Sequence, residues 1–350
     1  MKTIFLTGGG TAGHIAPNIA LLPYLTDFDV HYCGEKGGME EKMLADYPQV
    51  TFHALPCIKF RRSLSLKNLK VPFVLGKGVR QAKKLLDAFA PCAVFSKGGY
   101  AALPLCLAAH KRHVPLVIHE SDVSMGLSNR LVAKKAQKVC ASFPSLAEKY
   151  PNGMHTGAPI RRELYNGQAQ SIARAFSFPQ NGKPNLLVFG GSQGALAVNV
   201  ALEACLADVC EKFNVLHIAG KHAFTGGNAC YRRAEFYAGM ADCYAWADYV
   251  VCRGGAGTLA EIVALRKPAL VIPLPKSNTS RGDQQQNAAY YQSLGCIRVL
   301  AQQDLTPQSL CRAVTELPAE RAALADALRK APSPDGTRVI ADILRAYAKP

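Results

Sequence analysis

The sequence predicts an α/β protein with two parallel sheets, and three observations carry that prediction. Short apolar runs alternate with segments of helical period along the chain, which is the pattern of repeated βαβ units. A strand, a glycine turn and an amphipathic helix open the chain at "FLTGGGTAGHIAPNIALL" and recur at "NLLVFGGSQGALAVNVAL". Between them lies a stretch rich in chain breakers, Pro151, Gly153, Gly157, Pro159, Pro179, Gly182 and Pro184, which reads as a domain boundary.

The first half is expected to hold strands over residues 3–7, 29–33, 93–96, 115–119 and 138–141. The second is expected to hold them over residues 185–189, 215–219, 249–252, 269–273 and 297–300. Two Rossmann-like halves result, residues 1–158 and 159–334, with a cleft expected between them because ligands of such sheets bind beyond the carboxyl ends of the strands. Helices over residues 319–330 and 336–347 are expected to close the chain, with the segment 335–350 crossing back to the first domain.

Composition narrows the function classes. No apolar run approaches the ~20 residues of a spanning helix, and the apolar start is too short for a signal peptide, so a cytoplasmic protein is expected. The 12 cysteines are scattered, without CxxC or a Cys/His metal spacing, and read as buried small hydrophobes. Net charge is +16, of which the window from Lys59 to Lys84 supplies nine basic residues and no acid. Apolar side chains are interleaved there, and Lys59, Phe60, Arg61, Arg62, Leu64, Leu66, Lys67 and Phe73 are read as contacts to an anionic membrane surface. A solvated helix face and nucleic-acid contact are the competing readings. Apolar residues outnumber aromatic stacking platforms in the window, which favours the membrane.

The first glycine turn has two readings. Gly8, Gly10 and Gly13 form GxGxxG, and Glu35 follows Gly13 by 22 residues, as a dinucleotide fingerprint requires. An NAD(P)-dependent oxidoreductase is therefore one candidate. His14, however, sits in the first helical turn, where the helix dipole disfavours its protonated form. A neutral imidazole suits general-base work, and a dehydrogenase has no need of the second glycine turn. The alternative is a helix-start histidine with no catalytic role.

The second half carries a different constellation. In "GGSQGA", Ser192 and Gln193 lie on a turn into a helix whose backbone N–H groups can hold phosphate. In "CRGGAGTLAEIVAL", Glu261 falls opposite the core face, where its carboxylate can take a ribose diol; a plain first-turn glutamate is the bland reading. In "SRGDQQQNA", Asp283 is an N-cap candidate, and the amides of Gln284 and Gln285 can read vicinal sugar hydroxyls.

Seven segments, "GGTAGHIAPNIAL", "FSKGGY", "HESDVSMGLSNR", "TGAPIRREL", "FGGSQGA", "AWADYVVCRGGAGTLAEI" and "SRGDQQQNA", resemble in order the MurG glycosyltransferases. The resemblance spans residues 5–289. It implies the GT-B fold and inverting transfer of N-acetylglucosamine from UDP-GlcNAc to C4 of the muramoyl sugar of lipid I, giving lipid II for peptidoglycan. It implies an acceptor-binding, membrane-associating first domain and a UDP-GlcNAc-binding second domain. By the same resemblance Ser192, Gln193 and Gly194 take the donor diphosphate with Arg161 nearby. Glu261 takes the ribose, Tyr237 holds uracil with Phe236 packing alongside, and Asn129, Gln284 and Gln285 take GlcNAc hydroxyls. Gly255, Gly257 and Thr258 lie under the donor, whose site extends to Thr11, Ala12 and Gly13. Gly9, Gly10, Thr11 and Gly13 hold the acceptor pyrophosphate. The chain departs from some members at Ser121-Asp122, and in the spacing after the glutamine pair, which leaves open which glutamine meets which hydroxyl.

The reaction implied needs one base on the acceptor side. His14 is the first choice and Glu120 the second. The DxD formed by Asp27, Phe28 and Asp29 precedes a strand at the wrong end of the sheet and reads as structural. No metal site is assigned and no cofactor is required, while a non-essential divalent ion is left open as an aid to diphosphate departure. Partners implied are UDP-GlcNAc, lipid I, the anionic cytoplasmic face of the membrane and other wall-synthesis proteins, with no nucleic acid. The alternatives still standing are another GT-B enzyme acting on a glycolipid, and the oxidoreductase.

Overall fold

A computed structural model describes residues 1–59, 66–191, 194–222, 227–277 and 280–348, with the backbone alone at 66 and 67. The chain forms two compact units, Met1–Arg161 with the segment from Pro334 onward, and Arg162–Ser333. The division falls three residues beyond the boundary expected after Ala158.

In the first unit the strands are β1 (Lys2–Thr7), β2 (Phe28–Glu35), β3 (Val50–Leu55), β4 (Ala93–Ser96), β5 (Leu116–Glu120), β6 (Lys138–Ala141) and β7 (Gly153–His155). They form one parallel sheet in the order β3-β2-β1-β4-β5-β6-β7. Every residue of β4 and β5 is buried, as helices on both faces of a parallel sheet require. The second unit has β8 (Asn185–Phe189), β9 (Asn214–Ile218), β10 (Tyr231–Ala234), β11 (Tyr249–Cys252), β12 (Ala269–Val271) and β13 (Arg298–Val299), ordered β10-β9-β8-β11-β12-β13 and also parallel. Counted within its own unit, that order is the doubly wound 3-2-1-4-5-6.

All ten expected strands are present. The three that sequence reasoning missed, β3, β7 and β10, are edge strands. An edge need not carry a continuous apolar run: β3 alternates with Thr51 and His53, β7 is a glycine-led triplet, and β10 contains Arg232 and Arg233.

The helix Gly336–Ala346 belongs to the first unit. Ile340, Ala341 and Leu344 join the core of Ile4, Leu6, Ile15 and Ile19. Asp335 caps its start by accepting from the Arg338 N–H (3.1 Å), and the Thr337 hydroxyl both accepts from the Ile160 N–H (2.9 Å) and donates to the Ile160 carbonyl (3.0 Å). Arg345 pairs with Asp27 (3.2 Å) and holds that carboxyl below its usual range, while Asp29 pairs with His31 (2.9 Å). Both acids of the DxD thus serve the fold. The helix Pro307–Lys330 starts well before the expected residue 319; it runs through Pro318 and opens on a Thr306–Ser309 capping box.

Within the second unit His217 is buried between two polar partners. Its Nδ1 accepts from the Tyr231 hydroxyl (3.0 Å) and its Nε2–H donates to Asn199 Oδ1 (3.0 Å). Burial, aided by Arg233 and His222, pushes its pKa down to about 4. The unfolded chain takes up this proton near pH ~6.5, so stability is lost as pH falls from there towards the folded value. Urea unfolding of the second unit is expected to show about 2 kcal/mol of loss between pH 7 and 5 from this group. His217→Gln should remove that part of the slope, and an unchanged slope would contradict the assignment.

Candidate active site

Strand order reverses between β1 and β4 in the first sheet and between β8 and β11 in the second. A crevice beyond the carboxyl ends at such a switch point is where open α/β sheets bind ligands. Each expected glycine turn leaves a switch-point strand.

In the first unit β1 runs into Gly8–Thr11 and β4 into Lys97–Gly99. The two turns touch. The Gly9 N–H donates to the Gly98 carbonyl (3.3 Å), and a Cβ on Gly99, which has φ +83°, would lie 2.2 Å from the Gly9 oxygen. At Gly10 (φ +87°) a Cβ would lie 2.6 Å from the Tyr100 ring. Beneath them Glu40 is 1% exposed and accepts from the Glu35 N–H (2.8 Å) and the Gly10 N–H (3.4 Å). The Tyr100 hydroxyl donates to the Glu35 carboxylate. That bond ties the acid of the dinucleotide fingerprint to the second turn.

His14 is the third residue of the helix Ala12–Leu21, with its Nδ1 3.0 Å from the Thr11 hydroxyl. In the tautomer that donates Nδ1–H to Thr11, the Nε2 lone pair carries the basicity. Thr11 and Gly13 are exposed and Ala12 half-buried. Glu120 has a different environment. At 6% exposure, its Oε1 accepts from the N–H groups of Ser121 (3.0 Å) and Asp122 (3.3 Å), and its Oε2 from the Gly126 N–H (2.9 Å) and Asn129 Nδ2 (3.0 Å). A carboxylate has about four lone-pair sites, so this one is committed to ordering the loop 121–126. Asn129 also spends its amide N–H groups inside the unit, on Glu120 and on the His119 carbonyl (2.9 Å). Its buried Oδ1 has no hydrogen-bond partner among the described residues.

In the second unit β8 leads into the turn 190–195. Ser192 and Gln193 lie outside the described residues; the Gly194 N–H donates to the Gly191 carbonyl (3.0 Å). Strand β11 leads through Arg253 and Gly254 to Gly255, the N-cap of the helix Ala256–Ala264, whose first turn holds Gly257 and Thr258. The helix Asp283–Ser293 packs against this turn through Asn287, which donates to the Gly254 carbonyl (3.4 Å). Gly282, in the left-handed region, is the N-cap of that helix. Asp283, expected as the cap, is instead its first residue and pairs with Arg281 (2.9 Å). Gln284 Oε1 accepts from the Leu274 N–H (3.0 Å) and Gln285 Oε1 from the Lys276 N–H (3.1 Å). Those bonds fix both side chains by their oxygens and leave the NH₂ groups as donors.

Glu261 is the sixth residue of its helix, beyond the first turn. Its Oε2 accepts from the hydroxyl of Tyr244 (2.8 Å), which is itself 1% exposed. A carboxylate oriented by a buried phenol is a placed group, unlike a solvated helix-start acid. Tyr237 packs on Gly239, the N-cap of the helix Met240–Trp246, and lies 5.5 Å from the Phe176 ring, while Phe236 is 77% exposed. Arg161 is the last residue of the first unit before the chain crosses.

The basic, apolar window is only partly described. Phe60, Arg61, Arg62 and Leu64 lie outside the described residues, and Leu66 and Lys67 are described by backbone alone, in the 3₁₀ turn Leu66–Lys70. Lys59 is exposed, and Leu69 and Phe73 are 68% and 80% exposed. Among the described residues no helix is long and apolar enough to cross a membrane, and no group of three His, Cys, Asp or Glu side chains is placed to hold a metal ion.

Sequence reasoning did not single out Lys97, Tyr100 or Glu40. The available signal was Gly98-Gly99 directly after an expected strand, a second turn that must meet the first once β4 lies beside β1.

Two Rossmann-like units with glycine turns at both switch points define the GT-B class of fold. The N-terminal domain description of glycosyltransferase family 28 matches residues 4–141, and its C-terminal domain description matches residues 185–341. Across the full length of both chains the sequence is 39% identical to the "UDP-N-acetylglucosamine--N-acetylmuramyl-(pentapeptide) pyrophosphoryl-undecaprenol N-acetylglucosamine transferase" of Lachnospira eligens. It is 41% identical to the protein of that name from Lachnoclostridium phytofermentans over 91% of each chain. Among solved structures, Acinetobacter baumannii MurG superposes with a TM-score of 0.77 at 24% identity over 99% of this chain and 100% of that one. The UDP-GlcNAc 2-epimerase of Neisseria meningitidis bound to UDP-GlcNAc gives 0.69 at 15% identity over 99% and 100%. The chain belongs to glycosyltransferase family 28.

The contact between the two turns of the first unit is open to direct test. Gly99→Ala forces a Cβ onto the Gly9 carbonyl at a positive φ, and is expected to cost at least about 2 kcal/mol in urea unfolding of that unit. Unchanged stability would show that the turns do not meet.

Proposed function

We propose that the chain is an inverting glycosyltransferase that moves N-acetylglucosamine from UDP-GlcNAc to the C4 hydroxyl of the muramoyl sugar of lipid I, giving lipid II for peptidoglycan synthesis. Full-length identity of 39% to a transferase named for this reaction carries the reading. The arrangement of polar groups at both switch points supports it.

On this reading UDP-GlcNAc binds the second unit. Glu261, oriented by Tyr244, accepts from the ribose diol. The free NH₂ groups of Gln284 and Gln285 donate to GlcNAc hydroxyls. Gly194, Gly255, Gly257 and Thr258 offer backbone and hydroxyl donors to the diphosphate at a helix N-terminus, with Ser192, Gln193 and Arg161 adding to it. Uracil is held at Tyr237 beside Phe236. In the first unit, Gly9, Gly10, Thr11 and Gly13 take the acceptor pyrophosphate.

The chemistry then follows from a single displacement. The C4 oxygen forms the bond to the anomeric carbon as that carbon's bond to the UDP oxygen breaks on the opposite face. UDP leaves with the electron pair, the configuration inverts, and the C4 proton passes to His14 Nε2. In the tautomer that donates Nδ1–H to Thr11, Nε2 is the acceptor. Donors fixed before reaction stabilise the developing charge on UDP, and the reading requires no metal or organic cofactor. The lipid-linked acceptor implies a peripheral protein at the cytoplasmic face of the membrane, seated through the basic, apolar window.

Two experiments test this. With labelled UDP-GlcNAc and lipid I, the wild-type chain is expected to form lipid II, and His14→Ala to lose about 10²–10⁴-fold in kcat. No transfer by the wild type refutes the function; full-rate transfer by the variant moves the base elsewhere. Leu69→Glu with Phe73→Glu is expected to cut sedimentation with anionic phospholipid vesicles several-fold while leaving UDP affinity unchanged. Undiminished vesicle binding would remove the membrane assignment from this surface.

A further inference from the structure

The turn after β4 holds a lysine that none of the roles above uses. Lys97 follows Ser96 at the carboxyl end of β4, beside β1, and is 2% exposed. Its Cβ would be 3.1 Å from a Cβ on Gly8, which places it directly under the first glycine turn. Among the described residues its charged neighbours are the carboxylates of Glu120 and Asp122, and neither makes a hydrogen bond or ion pair with it.

Burying a cation without a partner is costly. Burial accordingly pulls the Lys97 pKa down, while the carboxylates of Glu120 and Asp122 pull it up. Glu120 is near enough to be felt and is not a partner, because its oxygens are filled by Ser121, Asp122, Gly126 and Asn129. His119, the neighbouring position on β5, offers no counter-charge. It is fully buried and donates Nε2–H to the Gly157 carbonyl (2.9 Å), and burial together with Lys97 keeps it neutral. Lys97 therefore sits at the switch point, packed under Gly8, with the carboxylates of Glu120 and Asp122 near enough to act on its charge but no hydrogen bond or ion pair to it among the described residues. A ligand drawn to this cation is an anion.

We propose that Lys97 is a specificity-determining residue of the acceptor site, whose buried charge selects a sugar carried on a diphosphate over the same sugar on an uncharged carrier. The proposal rests on the transferase reading for the identity of the acceptor. The anion site itself stands on the position of Lys97. Lys97→Met keeps the length of the side chain and removes the charge; Lys97→Arg keeps the charge; Lys97→Gln replaces Lys97→Met in every measurement if that variant does not fold.

The first measurement compares kcat/KM at saturating UDP-GlcNAc for the muramoyl sugar on a short-chain prenyl diphosphate and on an uncharged alkyl carrier. Lys97→Met is expected to lose roughly tenfold or more on the diphosphate acceptor. Its rate on the uncharged acceptor and its KM for UDP-GlcNAc should not change, and Lys97→Arg should recover part of the loss. Equal losses on both acceptors, or none, overturn the proposal, since a merely structural lysine would not distinguish them. The second measurement is calorimetric binding of inorganic pyrophosphate to UDP-saturated protein, which needs no turnover. Weaker binding by Lys97→Met supports the site even if the wild type transfers no sugar, an outcome that would sink the transferase reading alone. Equal binding by both chains overturns the Lys97 assignment even if lipid II is formed.

Discussion

The carbonyl oxygen of Gly9 lies where a side chain on Gly99 would have to begin. This contact follows from topology. In a doubly wound sheet the first and fourth strands are neighbours whose chains depart in opposite directions, so their following turns must pass each other at the carboxyl edge. Only backbone fits between them. Once the turns meet, Tyr100 is brought over Gly10, Glu40 closes the space below, and Lys97 is enclosed. The switch point of the first unit is arranged around that approach of two main chains.

The second unit repeats the strand order with different chemistry. Its switch point is furnished with a phenol-held carboxylate and two glutamines anchored by their carbonyl oxygens. These are neutral donors and one acceptor, a set suited to a ribose and a sugar. The first unit instead surrounds its turns with buried ionisable groups. One fold thus serves two recognition problems, and the difference lies in the side chains at the strand ends.

Interior strands were legible because burial on both faces demands apolar runs, as in Ala93–Ser96 and Asn185–Phe189. Edge strands escaped because Arg232 and Arg233, or Thr51 and His53, face partly exposed surroundings. The helix after Thr306 was read too short because Pro318 looks like a start, although the ladder continues through it. The glycine turns at the switch points were legible as motifs, since a tight turn after a strand constrains the residue types it can hold. The state of Glu120 was not, because four donors converge on it from residues one to nine positions away only after the loop has folded. Lys97 was one letter in a motif. Its meaning comes from burial, which no local pattern encodes.

The helix Gly336–Ala346 completes the core of the first unit after the whole second unit has intervened. The second unit is thus a continuous insertion within a discontinuous one. On the ribosome, the second unit has all its strands and helices before the first receives Ile340 and Leu344. Until then the earlier-made half is left with an uncovered apolar face. The residues that close the first unit's core are therefore among the last to be made, and that core stays incomplete while the second unit emerges.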